Sequence, residues 1–226
     1  VNIVDVLYGF IPGFSFLPNN IIGNIYRLFV DVFSLLILFG VVYFLARRFI
    51  LKDQRLEINK PVMLSELAVS GMRFDSLLVG SFIILHVGSR FLSASFEIAH
   101  TQSDWSQPGA NMMSKLWIGL QPDSIVMMEH ITWWMALGLI LLFLPYFPMS
   151  KHAHLFMGPL NIMAKEKRRS MAAIEKIDFE DDSIEQFGSS RLHHLPQTQL
   201  LDGYACIQCS RCQDACPAYV TGKELS

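Results

Sequence analysis

Four cysteines stand close together near the end of the 226-residue sequence, and the sequence contains no others. They are Cys206, Cys209, Cys212 and Cys216, spaced C-x2-C-x2-C-x3-C and followed by Pro217. This spacing is typical of the bacterial ferredoxin segment that binds a [4Fe–4S] cluster, because short intervals let the chain wrap around one cubane. Zinc is the alternative, but zinc sites usually separate two C-x2-C pairs by a dozen or more residues. The spacing therefore predicts an iron–sulfur cluster.

The last of these cysteines, Cys216, leaves the number of clusters open. In ferredoxins with two clusters, the fourth cysteine of such a segment ligates the other cluster. A second cluster would need further cysteines after Ser226, so Cys216 predicts that the sequence is part of a longer polypeptide. The alternative is a single cluster held by all four cysteines.

The elements that would position this motif are apolar helices. The sequence is 52% hydrophobic and 17% charged, with a mean hydropathy of +0.36. Crossing a bilayer takes about 20 helical residues, and the stretches 28–46, 77–99 and 125–149 are long enough. We therefore predict an all-α membrane bundle of about three transmembrane helices, followed by the start of a ferredoxin-like [4Fe–4S] domain. The lipid bilayer is the expected partner, and a net charge of −2 gives no basic footprint for nucleic acid.

The composition divides the chain into four predicted segments. Residues 1–27 form an interfacial segment, 28–160 the transmembrane haem-binding domain, 161–200 a polar cytoplasmic linker, and 201–226 the start of the iron–sulfur domain. Basic residues are frequent after the first and third spans, whereas the loop between the second and third spans holds only Lys115. The positive-inside rule therefore predicts a multi-pass protein of the inner (cytoplasmic) membrane, with its cysteine tail on the cytoplasmic side.

Histidines inside or beside the spans are the second set of candidate functional residues, because ionisable groups in a membrane are costly to keep there. His86 lies within the second span, His130 begins the third, and His152 and His154 follow it. A lone membrane histidine commonly bonds to a neighbouring helix. Several of them next to an iron–sulfur motif predict a bis-histidine haem b, which would relay electrons between the cluster and a membrane quinone.

Arg90 stands one helical turn after His86 and therefore on the same helix face. A buried arginine needs an anionic partner. A haem propionate is one candidate. The other candidates are the carboxylates of Asp31, Glu97 and Glu129.

Two parts of the sequence resemble known proteins. The stretches HVGSRFL and FPMSKHAHLFMGPLN resemble the haem b membrane subunit, the gamma subunit, of respiratory nitrate reductase, whose helices recur in the membrane subunit of methanogen heterodisulfide reductase. The tail LLDGYACIQCSRCQDACPAYVTGKELS resembles the start of the iron–sulfur half of heterodisulfide reductase-like proteins. The two parts are often fused in that group, as in membrane electron-transfer flavoprotein:menaquinone oxidoreductases. The resemblance covers roughly residues 28–226.

The nitrate reductase pattern implies His86 and His154 as the axial ligands of one haem b. Its second pair of histidines falls near Phe96 and Ala136, which cannot bind iron. A second haem is therefore either absent or held by histidines further out in the membrane. Alternative ligands, including other partners for the first haem, are His100, His130 and His152.

These observations together predict membrane-bound respiratory electron transfer by a quinone-linked oxidoreductase, or by an electron-transfer subunit of one. Electrons would pass between a cytoplasmic redox partner and the quinone pool through one or two [4Fe–4S] clusters and one or two haems b. Expected partners are menaquinone or ubiquinone, and a soluble redox protein or other subunits of a respiratory complex. The alternative is a haem-free membrane anchor or assembly subunit that docks an iron–sulfur domain.

Overall fold

The computed structural model describes residues 21–53, 66–101, 103–165, 180, 191–207, 209 and 211–223. Over these ranges the chain forms helices and turns, without a β-strand among them, which confirms the all-α prediction for this part of the chain. The residues up to Leu144 and those from Cys216 onward make up one compact unit, and Pro145–Ala215 make up a second. The ferredoxin-like domain and the four predicted segments stay predictions.

Three long helices match the three predicted membrane spans. They are α1 (Ile21–Leu45), which continues as a π-helical turn to Ile50, α2 (Glu66–Thr101), and α4 (Pro122–Tyr146), with the short α3 (Pro108–Ser114) between the last two. All three are long and apolar enough to cross a membrane. With 36 residues at about 1.5 Å each, α2 is longer than a hydrocarbon core of about 30 Å and extends beyond it.

Each long helix starts before the span that the sequence predicted. Helix α1 begins at Ile21, although the interfacial segment was predicted to extend to residue 27. Asn24 and Arg27 interrupt the apolar run there, but they are one turn apart on the helix, and Arg27 donates a 2.8 Å hydrogen bond to Asn24. The rest of the predicted interfacial segment lies outside the described residues.

The segment between α2 and α4 is packed against α2 rather than extended into solvent. The indole of Trp117 stacks on Phe96 with ring centroids 4.7 Å apart, and its Nε1 donates to Ser95 Oγ at 3.0 Å. A small apolar core joins α2 to α3, and it consists of Phe91, Ile98 and Ala110. This end of the helix bundle is therefore covered by structured chain.

The second unit contains α5 (His154–Ala164), α6 (Gln197–Tyr204) and the short α7 (Arg211–Asp214). Helices α5 and α6 are joined by Asp202, which accepts hydrogen bonds from Asn161 Nδ2 at 2.6 Å and from Lys165 Nζ at 3.2 Å. These two donors hold the pKa of Asp202 below its ordinary value. Most of the predicted linker lies outside the described residues.

Candidate functional site

The cysteine segment follows α6 directly. Cys206 and Cys209 lie in non-helical chain, Cys212 lies in α7, and Cys216 precedes the short helix α8 (Pro217–Val220), whose first residue is the proline of the motif. The thiols of Cys206, Cys209 and Cys212 are exposed, that of Cys216 is half-buried, and no disulfide joins any of them.

The donor set of this segment suits an iron–sulfur cluster, since soft thiolates are the ligands that such clusters take. Between two of the cysteines, Gln213 is buried, and its Nε2 donor has no acceptor within the part of the chain that the structure describes. Cluster sulfurs accept hydrogen bonds of this kind. Nowhere among the described residues do three or more metal-ligating side chains converge on one point, so the motif rests on residue type and spacing.

His86 is half-buried on α2 and contacts α4. Its Nδ1 lies 2.9 Å from the backbone oxygen of Ala136. A carbonyl oxygen can only accept, so Nδ1 carries the proton and Nε2 is the nitrogen with a lone pair. Metal-bound histidines are usually held in this way, with the second ring nitrogen donating to a backbone carbonyl or carboxylate. The tautomer of His86 is therefore the one that a haem ligand needs.

His154 shows the same arrangement in the second unit. It is the first residue of α5, and its Nδ1 lies 2.6 Å from the backbone oxygen of Lys151, one turn earlier. By the same reasoning Nε2 is the basic nitrogen of His154. The two residues that the sequence analysis selected as a haem pair thus share a tautomer that can bind iron.

The alternative ligands differ in setting. His100 lies in the last turn of α2 and His130 in the early part of α4, and both are exposed. His152 is half-buried in a 3₁₀ turn, and its own backbone N–H donates to Ser150 Oγ at 3.2 Å. The structure leaves these three histidines as alternative ligands.

Asp31, the only charged residue within the predicted first span, has a structural role that the sequence did not reveal. Its side chain is 3% exposed, and its two oxygens accept from the backbone N–H groups of Gly109 at 2.6 Å and Ala110 at 2.9 Å. The carboxylate therefore anchors the first turn of α3 to α1. The sequence signal was a lone acidic residue in an apolar span, which indicates a partner but does not identify it.

A cavity of about 160 Å³ lies beside this anchor, within the first unit. Arg90 lines it, so the arginine that the sequence analysis singled out lies at a cavity wall shared with Asp31 and Glu97. The remaining lining includes apolar and aromatic side chains, among them Val30, Phe91, Trp133 and Leu137. Ala136, whose carbonyl binds His86, also lines it.

A group of charged and polar side chains adjoins this cavity. Gln107, which lines the cavity, donates to Asp104 at 3.2 Å, and Arg27 lies 3.8 Å from the same carboxylate. Burial raises the pKa of Asp104, but hydrogen bonds from Ser106 and Gln107 lower it by more, so the pKa lies below its ordinary value. Asp104 therefore stays ionised at neutral pH.

The described part of the chain thus combines three helices that are long and apolar enough to cross a membrane with a clustered thiol motif, a combination typical of membrane-bound redox proteins. The chain is 34% identical over 225 residues to a protein of Bacillus subtilis (strain 168) named "Probable iron-sulfur-binding oxidoreductase FadF". It is 30% identical over 210 residues to a protein of Syntrophomonas wolfei subsp. wolfei named "EtfAB:quinone oxidoreductase". The chain is therefore homologous to iron–sulfur oxidoreductases.

These matches cover 98% and 90% of the chain but only 29% and 28% of the two relatives. The chain thus spans less than a third of the length of either curated relative. No family model matches it, and no solved structure gives a significant match.

Proposed function

We propose that this chain is the membrane part of a quinone-linked oxidoreductase, which passes electrons between a soluble redox partner and the quinone pool. The observation that carries the proposal is the C-x2-C-x2-C-x3-C-P motif, next to three membrane-spanning helices in a chain homologous to iron–sulfur oxidoreductases. The name of the Syntrophomonas relative supports quinone as the membrane-side substrate.

In this proposal Cys206, Cys209 and Cys212 hold a [4Fe–4S] cluster, and Cys216 either completes it or serves a second cluster. The thiolates would hold the cluster, and the buried Nε2 of Gln213 would be a donor available to its sulfurs. Hydrogen bonds to cluster sulfurs are one of the features that set the reduction potential, so such a bond would tune the centre.

His86 and His154 are the proposed axial ligands of a haem b. Both carry the proton on Nδ1 and present a basic Nε2, which supports the assignment. A cluster and a haem, when bound, each accept and donate one electron at a time. The role of the chain is to hold them within reach of one another and to exclude water from the membrane-embedded ligand.

Sidedness is proposed from charge alone. The basic residues after α1 and after α4 favour the cytoplasmic side of the inner membrane for the cysteine tail, so a cytoplasmic protein is the expected electron donor or acceptor. The loop that carries α3 would then face the opposite side.

Cluster content tests the proposal most simply at the cysteines. The purified holoenzyme is analysed for iron, acid-labile sulfide and zinc, and its reduced form is examined by EPR. We expect iron and sulfide, together with the EPR signal of a reduced [4Fe–4S] cluster. The Cys206→Ser variant should lose the cluster that this segment binds, and with it the corresponding part of the signal. Zinc in place of iron, or a Cys206→Ser protein with unchanged cluster content, would contradict the proposal.

A further inference from the structure

The membrane cavity beside Arg90 has features of a small-molecule site that no cofactor in the proposed function uses. Its lining residues come from α1, α2, α4 and the loop before α3, all at the end of the bundle where that loop lies. It is concave, and polar and apolar side chains contribute equally to its wall. All its lining residues belong to one compact unit.

The volume of the cavity limits what can enter. At about 160 Å³ it is smaller than the roughly 300–1,000 Å³ of typical pockets for drug-sized ligands. One substituted ring fits such a space, whereas a haem macrocycle does not. The charged lining also makes it unsuitable for a lipid acyl chain, because an acyl chain offers those groups no polar contact.

The polar lining suits a ring that carries carbonyl oxygens. The Arg90 guanidinium has five N–H donors, so it can serve its protein neighbours and a ligand carbonyl at the same time. Phe91 and Trp133 offer aromatic surfaces to the same space. Asp31 is already engaged by Gly109 and Ala110, and it therefore shapes the cavity rather than binding the ligand.

Charged and polar groups extend from the cavity toward the loop end of the bundle. Glu97 lines the cavity and is itself partly exposed. The charged groups within electrostatic range of Glu97 are Glu129 on α4, Arg27 on α1, Asp104 in the loop and Arg90 on its own helix. The Arg27–Asp104 pair and Gln107 continue this polar path toward the loop.

We infer that this cavity binds the head group of a membrane quinone, with Arg90 as the hydrogen-bond donor to a ring carbonyl and Glu97 as the group that exchanges protons. The inference rests on the proposed function, which supplies the electrons. A quinone becomes a quinol by taking up two electrons and two protons. The reduced one-electron carriers of the proposed function deliver the electrons one at a time, and the protons arrive through Glu97. The reverse reaction returns both.

The position of His86 agrees with this assignment. Ala136 lines the cavity, and its carbonyl oxygen accepts from His86 Nδ1 at 2.9 Å. One residue of α4 therefore contacts both the proposed haem ligand and the proposed quinone site. A ring in the cavity lies next to the membrane-embedded redox ligand.

Photolabelling locates the quinone directly. The holoenzyme is irradiated with a short-tailed azido-quinone, digested, and analysed by mass spectrometry. We expect labelled residues on α2 and α4 at the cavity, Phe91, Trp133 or Leu137, and competition by unlabelled quinone. Labels confined to other parts of the protein would overturn the inference and leave the proposed function intact.

Variants at the cavity wall provide a second, independent readout. Leu137→Trp fills the cavity, and Leu142→Trp is the matched control, since Leu142 is 67% exposed on the outer surface of the same helix. We expect Leu137→Trp to abolish labelling and quinone-dependent turnover while electron transfer to ferricyanide is kept. If both tryptophan variants label like the wild type, the cavity is not the quinone site.

Arg90→Gln distinguishes a quinone donor from a propionate partner. Losing a charge-assisted hydrogen bond raises the KM for quinone by about tenfold to a hundredfold, with an unchanged haem spectrum and reduction potential. A shifted haem potential with an unchanged KM would assign Arg90 to the propionate and overturn its part in the inference. A holoenzyme that transfers electrons to ferricyanide but to no quinone would instead refute the proposed function itself.

Discussion

At the residue scale, single backbone contacts fix the chemistry of the candidate ligands. A carbonyl oxygen holds the proton of His86 on Nδ1, and another does the same for His154. In both residues Nε2 is therefore the nitrogen that could ligate a metal.

Replacing His86 tests its role as ligand. We expect His86→Ala to lose haem b absorbance because Nε2 of this residue is the proposed axial donor. Haem is quantified by difference spectroscopy, and iron–sulfur content is measured in the same sample to show that the protein is still assembled.

His193→Ala is the control for this experiment, since His193 is exposed in a 3₁₀ turn of the second unit. Unchanged haem content in His86→Ala, together with loss in a His130→Ala variant, would move the ligand to His130.

Asp31 makes a prediction about stability. Asp31→Asn removes the charge that holds the N–H groups of Gly109 and Ala110, and we expect a loss of about 1–3 kcal/mol in the free energy of unfolding. Reversible SDS unfolding measures it. Asp123→Asn is the control, because Asp123 is an exposed carboxylate in the first turn of α4. Equal losses of unfolding free energy in the two variants would show that the hydrogen bonds of Asp31 do not stabilise the fold.

At the scale of elements, α1 and α2 approach closely at Gly80. A Cβ placed on Gly80 would come within 2.7 Å of Leu45 Cδ2, and the residue is buried. Small residues at such contacts let membrane helices pack tightly, and packing is the main force between helices in lipid.

A bulky residue at Gly80 therefore separates these helices. We expect Gly80→Ile to destabilise the protein by about 1–3 kcal/mol through overpacking. Gly71→Ile on the same helix is the control, since a Cβ there meets nothing within 4 Å. SDS unfolding again provides the measurement, and a Gly80→Ile variant as stable as Gly71→Ile would contradict the packing between α1 and α2.

The link between α5 and α6 depends on Asp202. Asp202→Ala leaves the Nδ2 of buried Asn161 without its acceptor, which costs about 1–3 kcal/mol and accelerates amide exchange in α6. Asp214→Ala in α7, an exposed acidic residue, is the control. Equal protection of α6 in both variants would rule out this link.

The pH dependence of the same link follows from the lowered pKa of Asp202. A carboxylate with a depressed pKa contributes its full stability above its unfolded pKa of about 3.9 and loses it as the pH falls through the lower folded value. We therefore expect the protection of α6 to be constant between about pH 5 and pH 8, after correction for intrinsic exchange rates. A decline within that range would require another titrating group.

At the scale of the whole molecule, the sequence predicted what depends on local pattern. Apolar runs identified α1, α2 and α4, because each of these signals is contained within a few turns of chain, whereas the iron–sulfur site at the cysteines stays a prediction. Helix α1 begins at Ile21, seven residues before the predicted first span, and Asn24 and Arg27 lie within it on one helix face.

Contacts between distant residues could not be predicted in the same way. Asp31 meets Gly109 across 78 positions, and His86 meets Ala136 across 50. Neither contact can be inferred from local composition, since both depend on how the helices pack. The cavity at Arg90 is a product of the same packing, and only the structure reveals it.

The central claim is that electrons pass through haem b in this membrane domain to a quinone. The most direct test is an anaerobic difference spectrum of the purified holoenzyme, reduced with limiting dithionite and then mixed with a water-soluble quinone. The proposed function predicts the Soret and alpha bands of haem b on reduction and their loss when quinone is added. A reduced spectrum without haem b bands would contradict the claim. It would favour the alternative function, a haem-free membrane anchor that docks an iron–sulfur domain.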